Sequence, residues 1–174
     1  MSMDIEENIQ LLYDDVLEFH KELEEEYPVR AGIRDVGLIE SAVNSPFATF
    51  GGQALFPSLF EKAACLFYGL SKNHGFIDGN KRVATHSMSV YLFVNGYDLV
   101  CTQDELVDFA IGIADSKESK NVVVEKIVLW LETYTEALWK HMNPDKHWLH
   151  SNVEVEVGCA SSPPSSIYGM QEAK

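Results

Sequence analysis

An all-α fold of about six helices, carrying one small β-hairpin and ending in an irregular C-terminal tail, is predicted by three observations. Apolar residues recur at spacings of three and four in successive segments. Residues suited to helix capping stand at the starts of several of these segments. Prolines and glycines fall between the segments, where they stop helices or turn the chain. With 174 residues, 46% of them apolar, the chain fits one domain with a proper core. Residues 1–141 are expected to form that domain, and 142–174 an appendage.

The first helix follows from the stripe Ile5, Ile9, Leu12, Val16, Phe19 and Leu23, with Glu6, Asp14, Glu18 and Glu22 on other faces, and Pro28 closes it. VRAGIR at 29–34 reads as irregular. A second helix is expected over about 35–44, capped by Asp35, with Leu38, Ile39, Ala42 and Val43 inward and Pro46 beyond its end. Residues 45–57 hold two prolines, two adjacent glycines and scattered aromatics, the composition of a loop or a small hairpin. The third helix spans about Pro57–Asn73, starting at Pro57 or Ser58, and packs Leu59, Phe60, Ala63, Ala64, Phe67 and Leu70 inward. A fourth follows Asn80 with Val83, Val90, Tyr91 and Val94, and ends at Asn95-Gly96, where glycine takes the left-handed cap. Tyr97 to Cys101 suits an extended stretch. The fifth helix opens on the capping box Thr102-Gln103-Asp104-Glu105, and the sixth is expected over about 121–141. After His141 no helical stripe remains, only an alternating NVEVEV and a Ser/Pro-rich end.

A formal net charge of −14 argues against broad binding to nucleic acid or to anionic membranes, so an anion site has to be local. The three cysteines form neither a disulfide framework nor a paired metal motif. No apolar run reaches the roughly 18 residues of a membrane span, and no leader is expected. A soluble, cytoplasmic protein is the expectation.

Against this acidic background KNHGFIDGNKR at 72–82 is locally basic. It places Asn80 and its neighbours at the N-terminus of the fourth helix, where free amides and the helix dipole favour phosphate. Lys81 and Arg82 in the first turn oppose that dipole, which suggests an external anion. Asp78, a single carboxylate beside a phosphate site, suits Mg²⁺, which takes one or two carboxylates plus phosphate oxygens and water. His74 can accept a proton from an attacking hydroxyl. Phe76 is expected to anchor the loop in the core. A Gly-containing turn with a capping Asn and a surface Lys-Arg pair is the plain alternative. The convergence of five useful side chains on one turn favours chemistry.

The pattern His74, Phe76, Asp78, Gly79, Asn80, Lys81, Arg82 resembles the signature of the Fic/Doc family. GIRDVGLIESAV at 32–43, FGGQALFPSLFEKAA at 50–64 and FVNGYDL at 93–99 are similar to the flanking blocks of its death-on-curing (Doc-type) toxin branch, so that the likeness covers about residues 25–135. The resemblance implies a Fic-like helical core with a hairpin flap that docks a target segment by strand addition. Phe50, Gly51, Gly52, Gln53, Ala54, Leu55 and Phe56 are the candidate flap. It further implies His74 as general base for a target hydroxyl, Asp78 as ligand of Mg²⁺ on ATP, and Gly79, Asn80, Lys81 and Arg82 as the phosphate-binding group.

Relatives that transfer AMP have glycine after the asparagine, whereas Doc-type proteins have lysine and phosphorylate translation elongation factor Tu. Lys81 therefore favours γ-phosphate transfer, with AMP transfer (AMPylation), or a catalytically weak interaction module, as alternatives. The expected partners are a protein target and a separate antitoxin: Ser2-Met3-Asp4-Ile5-Glu6 has the first spacing of the family's inhibitory motif but is followed by Glu7.

Two positions depart from the commonest pattern. Gly75 replaces a frequent proline and is expected to loosen the loop, and Val83 stands where threonine is usual. His20 and His86 are read as surface or satisfied core groups; His141, His147 and His150 as solvated tail; Glu24-Glu25-Glu26 as a solvated helix end; Trp130 and Trp139 as packing residues.

Overall fold

A computed structural model of the chain describes residues 8–138. Its six helices are α1 (Tyr13–Glu26), α2 (Val36–Asn44), α3 (Leu59–Lys72), α4 (Asn80–Val94), α5 (Gln103–Asp115) and α6 (Lys120–Tyr134). Two small antiparallel sheets complete it. β1 (Thr49–Phe50) pairs with β2 (Gln53–Ala54), and β3 (Tyr97–Leu99) pairs with β4 (Thr135–Ala137). The all-α prediction holds, with the hairpin in its expected place.

α3 and α4 form the central pair; α2 and α6 pack on α3, and α1 on α4. Their shared core contains Phe67, Leu70, Val83, Met88, Tyr91 and Leu92, each almost wholly buried. The caps follow the sequence. Asp35 Oδ1 accepts from Leu38 N, Ser58 and Glu61 form a capping box on α3, and Thr102 and Glu105 form one on α5. Gly96, at φ +86, closes α4 in the left-handed region.

The first helix starts later than its apolar stripe. Asn95 captures the main chain of Ile9 through both amide atoms, accepting from its N–H at 2.8 Å and donating to its carbonyl at 3.0 Å. A residue so held has no free backbone groups for a helix, and α1 begins only at Tyr13. Ile9 and Leu12 are consequently exposed, while Leu11 enters the core. Ile5 lies outside the described residues.

The sixth helix is shorter than the expected 121–141. It stops at Tyr134, and the chain turns extended to pair Thr135 with Leu99, Glu136 with Asp98 and Ala137 with Tyr97. The extended stretch expected after Asn95-Gly96 thus finds its partner far along the chain, a pairing with no local signal. Trp130 packs as expected, stacked between Phe109 and Tyr134. Trp139, the three C-terminal histidines and the tail lie outside the described residues.

Candidate active site

Residues 73–79 join α3 to α4, and segment 29–35 straps them down. Arg34 and Asp35 both donate their N–H groups to the carbonyl of Gly75, at 2.8 and 3.0 Å. Ile77 N donates to Gly32 O at 3.0 Å, Ile33 forms a bridge with Phe76, and Arg30 N donates to Asp78 Oδ2 at 3.2 Å. The stretch VRAGIR, irregular by sequence, is what holds the motif. Its bonds run through the main chain, so no side-chain periodicity announces them.

Beneath the loop Phe76 is buried as predicted, and its ring stacks on that of His20 at 4.0 Å and 7°. His20 Nε2 lies 3.0 Å from Asp78 O, and Nδ1 lies 3.0 Å from Glu24 Oε1. Glu24 Oε1 also accepts from Gly32 N at 2.9 Å. Glu24 is therefore a structural group rather than part of a solvated helix end. Asn80 accepts from Phe76 N through Oδ1 and donates to Phe76 O through Nδ2, both at 3.0 Å. Its amide closes the loop on itself, a task that the sequence reading did not foresee.

The groups assigned to chemistry lie above this floor. His74 is exposed and follows the C-cap Asn73 with φ +52, in the left-handed region where helix ends commonly place glycine. Strain accepted at an exposed histidine is the kind that marks functional loops. Gly79 is the N-cap of α4, and no side chain caps this end. Asp78 Oδ1 accepts from Gly79 N at 2.8 Å. Partial burial alone would raise the Asp78 pKa; the N–H donors of Arg30 and Gly79, with the Arg30 and Arg82 charges, outweigh it and hold the carboxyl below its ordinary value. The guanidinium of Arg82 lies over the Tyr27 ring at 5.2 Å. Lys81 is exposed, with its ammonium 3.9 Å from Asp115 Oδ1. Sequence reasoning missed Arg30, which joins Arg82 as a second cation acting on Asp78 and comes from a segment far away in the chain.

One expectation needs correction. Gly75 does not loosen the loop. It is buried, its carbonyl accepts two N–H groups, and a Cβ there would lie 2.5 Å from Ile39 Cγ1, so this chain has no room for a side chain or a proline ring. Val83 lies wholly in the core, so the methyl group in place of a hydroxyl faces packing.

The flap is a tight hairpin that pairs Thr49 with Ala54 and Phe50 with Gln53. Gly51 and Gly52 both have positive φ, the requirement of a type I′ turn. Phe50 is 81% exposed, an unusual place for a phenylalanine. Leu55 is also exposed, whereas Phe56 packs against the core with the Lys120 ammonium 5.5 Å above its ring. The free hairpin ends before Phe56.

Asp78 is a lone carboxylate: among the described residues no three His, Cys, Asp or Glu side chains form a group that could hold a metal by themselves. A carboxyl kept ionised beside a helix N-terminus fits the one-carboxylate share of Mg²⁺ coordination that accompanies a bound nucleotide. Among the described residues no helix is long and apolar enough to cross a membrane.

Residues 10–92 match the model of the Fic/DOC family, a stretch that holds α1 to α3, the hairpin, the strap and the whole motif. The chain is also similar to Toxin Doc of Mycolicibacterium smegmatis (strain ATCC 700084 / mc(2)155), 34% identical over 105 residues, which are 60% of this chain and 79% of that protein. From the motif, the helical core and these two matches, the chain belongs to the Fic/DOC family, in its Doc branch.

Proposed function

We propose that the protein is a Doc-type toxin that transfers the γ-phosphate of ATP to a side-chain hydroxyl of a target protein. The observation that carries this reading is the pairing, in one strapped loop, of an exposed histidine with a carboxylate held ionised at a helix N-terminus that no side chain caps. In this reading His74 takes the proton of the target hydroxyl as its oxygen bonds to the γ-phosphorus. The bond from that phosphorus to the bridging oxygen breaks, and ADP leaves. The first-turn amides of α4 from Asn80 onward, with Lys81 and Arg82, bind the phosphates, and Arg30 adds charge from the strap. Asp78 holds the metal of Mg·ATP, and bound Mg²⁺ supplies neutralisation of the charge on the phosphate oxygens. The exposed Phe50 and the unpaired edge of the hairpin suit strand addition by a target segment.

Lys81 favours γ- over α-phosphate transfer, because it fills the space that AMP-transferring relatives leave as glycine. The resemblance points to elongation factor Tu as the target and, with the similarity to a Doc toxin, to a separate antitoxin as partner. The test is to incubate the protein with elongation factor Tu, Mg²⁺ and ATP labelled at either the γ or the α position. Label from the γ position alone is the expected result. Transfer of the α label would replace the kinase reading by AMP transfer, and transfer of neither to this target would remove the target assignment.

A further inference from the structure

The proposed mechanism uses the carboxylate of Asp78 but not the ring beneath it. That ring is His20, 3% exposed, on a helix that contributes no reacting group. Three contacts converge on it: Glu24 Oε1 3.0 Å from Nδ1, Asp78 O 3.0 Å from Nε2, and Phe76 stacked on its face. Glu24 in turn accepts from Gly32 N on the strap, whose Arg30 N–H holds the other end of the same aspartate at Oδ2. The main chain and the side chain of Asp78 are thus fixed from two sides by one connected set of bonds. A burial this deep of a histidine is costly unless its nitrogens have partners, and here each faces an oxygen acceptor, Glu24 Oε1 or the Asp78 carbonyl.

We propose that His20 is a positioning residue for Asp78: by donating from Nε2 to the Asp78 carbonyl it sets the peptide that aims the carboxylate at the metal of Mg·ATP. The inference rests on the metal-binding reading of Asp78 given above. His20 stands one step behind the ligand, the place of the hydrogen-bonded partners that orient ligands in metal sites. α1 thereby acquires a share in the site although none of its side chains reaches substrate.

Two isosteric substitutions separate positioning from packing. In His20→Gln the amide nitrogen falls near the place of Nε2 and can still donate to Asp78 O; in His20→Asn it falls near Nδ1, on the Glu24 side, and cannot reach. Both lose the stacked ring, so both should unfold at similar, somewhat lower temperatures. Calorimetric titration of ATP into each protein, with and without Mg²⁺, then reads the effect. His20→Asn is expected to weaken the Mg²⁺-dependent part of binding by about 10- to 100-fold, and His20→Gln by much less. Hydrogen exchange of the ligand-free proteins supplies a second readout: the amides of Gly79 and Arg30, both bonded to the Asp78 carboxylate, should exchange faster in His20→Asn than in His20→Gln. Equal exchange and equal metal dependence in the two variants would overturn the inference and leave His20 as packing. If the wild-type protein shows no Mg²⁺-dependent binding of ATP, the nucleotide reading itself falls and the inference with it, a failure distinguishable because the exchange difference between the variants would persist. If His20→Asn does not fold, Glu24→Ala, which frees the ring without removing it, is expected to give a smaller loss of metal dependence; no loss would overturn the proposal.

Discussion

At the scale of single residues the two groups that decide the chemistry stand in unlike settings. His74 occupies a left-handed conformation that disfavours any residue with a Cβ. His74→Ala is expected to lower transfer by about 10²–10⁴ while ATP binding persists, because proton removal is its proposed work. His74→Gly should be equally inactive yet more stable than His74→Ala by about 1 kcal/mol, since glycine relieves the strain. Urea unfolding of the two inactive variants checks this, and equal stabilities would contradict the strained geometry. Lys81 is exposed and only loosely paired with Asp115, so its removal should not disturb the fold. Lys81→Gly is expected to leave the melting temperature nearly unchanged and to reduce γ-phosphate transfer sharply, measured with γ-labelled ATP. Undiminished transfer would detach Lys81 from the phosphates.

Between elements, the tightest fit is that of the motif loop against α2. The 2.5 Å approach that a Cβ at position 75 would make to Ile39 Cγ1 lets Gly75 pass and refuses alanine. Gly75→Ala is expected to cost about 1–3 kcal/mol as an overpacking change. Combined with Ile39→Ala, its cost should be less than additive, because the second change removes the obstructing atom; a double-mutant cycle measures this, and strict additivity would contradict the contact. The second element-scale expectation concerns β4. Its three pairs with β3, and the Leu138 N–H that donates to Gly96 O at 2.9 Å, tie the end of α6 to the end of α4. A chain truncated after His141 should therefore keep cooperative unfolding, whereas one truncated after Tyr134 should be less stable by roughly 1–3 kcal/mol. Thermal melts of the two chains decide whether 135–138 belongs to the domain.

For the whole molecule, buried and bonded ionisable groups make stability depend on pH. Burial of His86 lowers its pKa from the ordinary 6.5, and the Glu22 charge offsets this only in part. The unfolded chain therefore takes that proton first. The stabilisation is complete above pH 6.5 and is lost as pH falls through the lower folded value. Asp78 acts in the same direction further into acid. Its folded pKa lies below 3.8, so its contribution is present above that value and disappears as pH falls through the folded one. Urea midpoints measured from pH 8 downward should decline in two stages. His86→Leu should flatten the first and Asp78→Asn the second; an unchanged profile in either variant would remove that group from the account.

The sequence by itself determined the helices, most of their caps, the hairpin turn and the motif, because these rest on interactions within a few residues: the stripes of α2 and α3, the Thr102-Glu105 box, the glycine pair of the flap and the cluster from His74 to Arg82. Only the tertiary structure decided where α1 begins, since Asn95 captures Ile9 across 86 positions, and where α6 ends, since β3 supplies its continuation with a partner. It likewise decided that Gly75 is fixed, and that His20, Glu24 and the strap from Arg30 to Asp35 hold the site. These are contacts between residues distant in the chain, made largely through main-chain atoms that every residue carries alike. A side-chain pattern cannot encode them; they exist once α1, α2 and the α3–α4 loop have come together.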